Sequence, residues 1–107
     1  KDLEVWKEAM QLVRNVYTWS QNLPEVYGLV TQIRRAAISI PSNIAEGAAR
    51  SSRREFRSLA ELETQIFLAK ELFGAEDGGL LAQVEKQRRL LLGLIKSLGL
   101  AKESSHG

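Results

Sequence analysis

Apolar residues recur at steps of three and four along almost the whole chain, and that spacing constrains the fold more than any other feature. Such steps return to one side of an α-helix, whereas a strand repeats every second residue. Leu3, Trp6, Met10, Val13 and Tyr17 form the first stripe. Val5, Ala9 and Val16 widen it, as a helix packed on two neighbours requires. The spacing predicts a first helix with Trp6 in the core and Asp2 as N-cap. It should stop near Leu23, because Pro24 disfavours helical geometry in the residue before it. Trp19 falls off the stripe and reads as an exposed or interface aromatic that could stack on bases.

A second stripe runs through Val26, Val30, Ile33, Ala37, Ile40, Ile44 and Ala48, and it keeps its phase across Pro41. A loop would normally reset that phase. The reading is therefore a continuous second helix kinked at Pro41, where the ring removes a donor and crowds the Ala37 carbonyl at a cost of about 3 kcal/mol. A competing reading starts a new helix at Asn43, with its side chain as cap and Glu46 reaching back. Gly47, with Ala45, Ala48 and Ala49 around it, makes this region slim enough for another helix to approach. Pro41, Asn43, Glu46 and Gly47 are thus candidate helix-packing or oligomer positions.

Ser51 and Ser52 read as caps of a third helix, with Glu55 as the capping-box partner of Ser52. That helix carries Phe56, Leu59, Leu62, Ile66, Ala69 and Phe73, and Gly74 is a natural stop. The segment "GAEDGG", Gly74 to Gly79, is a turn. The fourth helix carries Leu80, Val84, Leu91, Ile95 and Leu98, with Leu81, Leu92 and Leu94 beside them. Gly99 is expected to end it, leaving residues 101–107 as a flexible tail. Four amphipathic helices with short connections predict an all-α, antiparallel up-down-up-down bundle over residues 1–100.

Composition narrows the function classes. Hydrophobic residues make up 44% of the 107, charged residues 26%, and there is no cysteine. That suits a single cytoplasmic domain without disulfides or thiolate metal sites. No apolar run is long enough to cross a bilayer, and Lys1 to Ser20 lacks the apolar centre of a signal peptide. The net charge is only +2, but it is unevenly spread. Between Arg34 and Arg57 lie six arginines (Arg34, Arg35, Arg50, Arg53, Arg54, Arg57) against two glutamates, an excess of four positive charges. Such a run is either a solvated face or a surface for phosphate backbones.

Enzyme motifs are missing. No phosphate-binding glycine loop and no H-E-x-x-H is present, and the one histidine, His106, sits in the expected tail. Glu61 and Glu63 are two residues apart and cannot share a helix face. They read as solvated charges or partners for arginines. The expectation is a non-catalytic protein with no cofactor, no metal, no membrane association and no small-molecule substrate.

Several segments also carry a resemblance: "DLEVWKEAMQLV" (Asp2 to Val13), "YGLVTQIRRAAISIPSNIAEGAAR" (Tyr27 to Arg50), "SLAELETQ" (Ser58 to Gln65) and "LLGLIKSL" (Leu91 to Leu98). Together they closely resemble the 23S ribosomal RNA intervening-sequence protein family, also called the four-helix-bundle protein family. The resemblance implies a small bacterial four-helix bundle. It also implies kinship with the accessory protein of diversity-generating retroelements, a five-fold ring with a basic surface that works with reverse transcriptase and nucleic acid. Arg34 and Arg35 match the family's arginine pair, and Asn43, Glu46 and Gly47 match its signature. The family supplies no catalytic residues to carry over. One departure stands out. Members usually have on the order of ten more residues between "EF" (Glu55–Phe56) and "SLAELETQ", about 15 Å of helix at 1.5 Å per residue. This predicts either a truncated third helix or a break between Phe56 and Ser58.

Two functional readings follow. One is a homo-oligomer, a ring or pentamer, associating with RNA or other nucleic acid through the six arginines. The other is a helical assembly or adaptor module with no nucleic-acid role.

Overall fold

The computed structural model describes the backbone of residues 2–45 and 48–106 and the side chains of residues 3–45 and 53–99. The described residues form four helices: α1 (Asp2–Ser20), α2 (Leu29–Ala45), α3 (Ala48–Phe73) and α4 (Leu80–His106). Each packs on its neighbour in sequence, and α1 closes the bundle against α4. The result is a rod of 54 × 21 × 19 Å. Along α1, Glu8, Asn15 and Trp19 reach Lys86, Gln83 and Glu76 in turn. Between α3 and α4, Glu63 meets Arg88, and Lys70 meets Asp77 at their connection. In both pairs the partner numbers fall as the helix numbers rise, the order expected of neighbours that run in opposite directions.

The core is one cluster drawn from all four helices. In α1 it takes Val5, Ala9, Leu12 and Val16, all nearly inaccessible. This corrects the expected seam. Leu3 is 61% exposed, Trp6 37% and Tyr17 36%. At about 100° per residue, the exposed stripe lies roughly 110° around α1 from the buried one. Apolar residues cover so much of α1 that periodicity alone admits both arcs. Contact with α2 and α4 selects the narrower, smaller-residue arc, which lets the backbones come close.

In α2, Ile33, Ala37, Ile40 and Ile44 are buried as expected, and Ala36 and Asn43 join them. The helix passes through Pro41 without interruption. Hydroxyls flank the missing donor: Ser39 Oγ donates to the Ala36 carbonyl at 2.7 Å and Ser42 Oγ to Ile38 at 3.0 Å. A new helix starting at Asn43 is therefore excluded, and Asn43 is an interior, buried position. Val26 lies before α2 rather than in it. The helix is capped from a distance by Glu25, whose carboxylate accepts from the Val30 and Thr31 N–H groups at 3.0 Å each and from the Thr31 hydroxyl. The Thr31 hydroxyl bond, aided by those amides and by Arg34, holds the Glu25 carboxyl below its usual range.

The third helix corrects the sequence reading at its start. It begins at Ala48, so Ser51 and Ser52 lie inside it, and Glu55 is no capping residue but fully buried. Nor is the helix broken, which excludes the expected break between Phe56 and Ser58. It runs through Phe56, Arg57 and Ser58 and has 26 residues against 27 in α4. Leu59, Leu62, Ile66 and Ala69 form its seam. It ends as expected at Gly74, whose φ of 63° suits glycine and whose N–H reaches the Lys70 carbonyl at 2.9 Å.

Asp77 opens α4, accepting from Gly79 N–H at 3.0 Å and Leu81 N–H at 3.2 Å. Burial would raise its carboxyl, but those amides and Lys70 hold it below its usual range. The α4 seam is Leu80, Val84, Gln87, Leu91 and Leu94, while Leu92 and Leu98 are exposed. Gly99 does not end the helix, which continues to His106. Trp19, expected outside, is half-buried against the core and donates from Nε1 to the Glu76 carbonyl at 2.6 Å. Trp6, expected in the core, is the more exposed of the two tryptophans.

Leu12 and Leu3 test which arc of α1 faces inward. Leu12→Ala should cost about 2–5 kcal/mol by urea denaturation, as for a buried leucine. Leu3→Ala should change stability by about 0.5 kcal/mol or less, as at an ordinary surface position. Equal losses would contradict the arrangement of α1.

Candidate nucleic-acid interface

The six arginines do not form one uniform surface. Arg34 is half-buried and committed to the fold. Its Nε donates to Ser20 Oγ at 2.9 Å, and its guanidinium lies 4.6 Å from the centre of the Tyr17 ring. Ser20 is itself buried and donates to the Tyr17 carbonyl. Arg34 therefore fastens the end of α1 to α2. A planar guanidinium suits this place because it can bond at its edge and stack with its face.

Arg35, the next residue, is exposed. It lines a cleft between α2 and α3 with Gln32, Ser39, Ser58, Glu61 and Gln65. In that cleft the Ser39 and Ser58 hydroxyls hydrogen-bond to each other across 2.6 Å and join the two helices. Glu61 places an acid on the same cleft, which weakens its pull on an anion. Glu63 faces the other way, 3.5 Å from Arg88 of α4. The two glutamates thus serve different neighbours, as their two-residue separation requires.

Arg53, Arg54 and Arg57 are exposed on the first turns of α3. At about 100° per residue they fall within roughly 100° of arc. Arg50 lies on the same arc of the helix backbone, but its side chain is outside the described residues. Glu46 and Gly47 also lie outside them. Pro41 is buried against α1, and together with Trp6, Met10, Val13, Ile38 and Ala45 it lines an apolar groove between α1 and α2.

Two further residues are core positions that the sequence did not mark as such. Glu55 and Gln87 are both fully buried. Each occupies a seam position: Glu55 is four residues before Leu59, and Gln87 falls between Val84 and Leu91. The signal was present as a polar residue at a step of three or four within each apolar series. It was obscured on α3 by the serines, which suggested a cap. Among the described residues no cluster of three or more acidic or histidine side chains could hold a metal, and no helix is long and apolar enough to cross a membrane.

Arg34→Ala should destabilise the protein by about 1–2 kcal/mol, since it removes a hydrogen bond and a cation–π contact together. Arg34→Lys should restore less than half of that loss. Arg35→Ala should stay within about 0.5 kcal/mol of the parent. Thermal unfolding of the three variants checks the division between a structural and a surface arginine.

No curated protein matches the chain. The family model described as 23S rRNA-intervening sequence protein matches residues 1–91, which take in α1, α2, α3 and the first part of α4. With most of its length matched, this four-helix chain belongs to the 23S rRNA-intervening sequence protein family.

Proposed function

We propose that this protein is a non-catalytic, self-associating bundle that holds RNA by its phosphates through the start of α3. The observation that carries this reading is the exposed arc of Arg53, Arg54 and Arg57, with Arg35 on the adjoining cleft of α2. Guanidinium groups suit phosphate because they donate in a planar fork. A few arginines on a chain of net charge +2 bind weakly alone. Several copies on one assembly gain by avidity, because each further contact is made at high effective concentration. The family to which the chain belongs is consistent with an RNA connection.

Self-association is supported by the apolar groove between α1 and α2. Trp6 and Ile38 are 37% and 44% exposed on it, beside Met10, Val13 and the buried Pro41. An exposed tryptophan in a contiguous apolar strip is typical of interface cores. The same groove favours the second reading, an assembly module without any nucleic-acid role, in which the arginines only keep the outer face solvated.

Filter binding to a structured RNA at two salt concentrations, combined with sedimentation, separates the readings. Affinity should fall with salt with a log–log slope of about −2 to −3 per engaged subunit, one step per phosphate contact. Arg53→Glu with Arg57→Glu should weaken binding tenfold or more and leave the sedimentation unchanged. Trp6→Glu should dissociate the assembly and lower RNA affinity with it. Absence of binding at low salt, with assembly intact, would leave the module reading standing and remove the RNA one.

A further inference from the structure

A polar layer crosses the core between α1, α3 and α4. Gln87 of α4 donates from Nε2 to the Val5 carbonyl of α1 at 3.2 Å. Gln87 is also the side chain that acts on Glu55 of α3. Yet both carboxyl oxygens of Glu55 and the Oε1 of Gln87 are buried without a hydrogen-bond partner. All three are acceptors, and three buried acceptors facing an apolar core lack a donor. Buried polar groups left in this state cost far more than satisfied ones. A single proton on Glu55 removes the problem, because a carboxylic acid carries an O–H donor and remains neutral.

We propose that Glu55 and Gln87 form a proton-operated latch. With the proton on Glu55, its O–H donates to Gln87 Oε1, and Gln87 holds the Val5 carbonyl, so that one hydrogen-bonded chain ties α3 through α4 to α1. When the proton passes to solvent, a carboxylate is left in the core, and the start of α3 loosens to bring it to water. Glu55 is the first buried side chain of α3 among the described residues, so it anchors the turns that carry Arg53, Arg54 and Arg57. The latch does not rest on the RNA reading of those arginines.

Among the described residues no other charge is placed against Glu55. On α4, Arg88 turns to Glu63 and Glu85, while Arg89 lines an outer cleft with Glu4 of α1. On α1, Glu8 meets Lys86. On α3, Arg54 and Arg57 lie on the exposed side, and the charged residues described on α2, Arg34 and Arg35, are placed toward Ser20 and Glu61. Burial pushes the Glu55 carboxyl up to about 7, against a smaller downward pull from Gln87. The sign follows: a group raised in the folded state contributes its full stability below the ordinary carboxyl range and loses it as pH rises through about 7. Glu25 and Asp77 are shifted the other way and titrate below this window.

Urea denaturation from pH 5 to 8.5 tests the latch. The folding equilibrium constant of the parent should fall about a hundredfold across this range, and that of Glu55→Gln should stay level, because the amide donates without a titrating proton. Hydrogen exchange at Arg53 to Arg57, relative to the same amides in Glu55→Gln, should accelerate with pH. Equal pH profiles for the two proteins would overturn the proposal. If Glu55→Gln fails to fold, a carbon-13 titration of the parent decides it. A carboxyl midpoint near neutrality supports the latch, and one in the ordinary carboxylate range refutes it.

Discussion

A helix in a closed four-membered bundle can bury only one arc of its surface, and the rest of this structure follows from which arc each helix turns inward. The choice is made by closeness. On α1 the inward arc has Val5, Ala9, Leu12 and Val16, whose modest bulk allows α2 and α4 to approach. The bulkier Leu3, Trp6, Met10 and Tyr17 are left on the outside or at the groove edge. Burying that set would hold the neighbouring helices further apart and open voids elsewhere, and interiors tolerate voids poorly. The surplus apolar surface then becomes available for contact beyond the chain.

The same constraint divides the arginines. Adjacent residues on a helix point about 100° apart, so Arg34 and Arg35 cannot share a task. Arg34 meets Ser20 and Tyr17 and holds α1 to α2, while Arg35 looks onto the cleft beside Glu61. Arg53, Arg54 and Arg57 stay exposed because the opposite side of that helix carries Glu55, Leu59 and Leu62 into the core. What reads in the sequence as a single basic run is, in space, one structural clamp and one outward-facing arc.

Glu55 and Gln87 place polarity where packing energy would favour leucine. A buried polar pair specifies the alignment of helices, because any slip leaves its groups facing apolar neighbours. Gln87 of α4 bonds the Val5 carbonyl of α1 and so ties the heights of these two helices. Glu55 sits in the early turns of α3, where the apolar seam of that helix begins.

The four helices, the passage of α2 through Pro41 and the stops at Gly74 and near Pro24 were legible in the residues themselves. These are local properties, set by periodicity and by the backbone limits of proline and glycine. Which arc of α1 is buried, which tryptophan is inside, where α3 begins and what Glu55 does were decided only by tertiary contact. Those depend on partners far along the chain, such as Glu76 for Trp19, 57 residues away, and Gln87 for Val5, 82 residues away. Spacing along one helix says that a face exists, but only the neighbours' shapes decide which face they can cover.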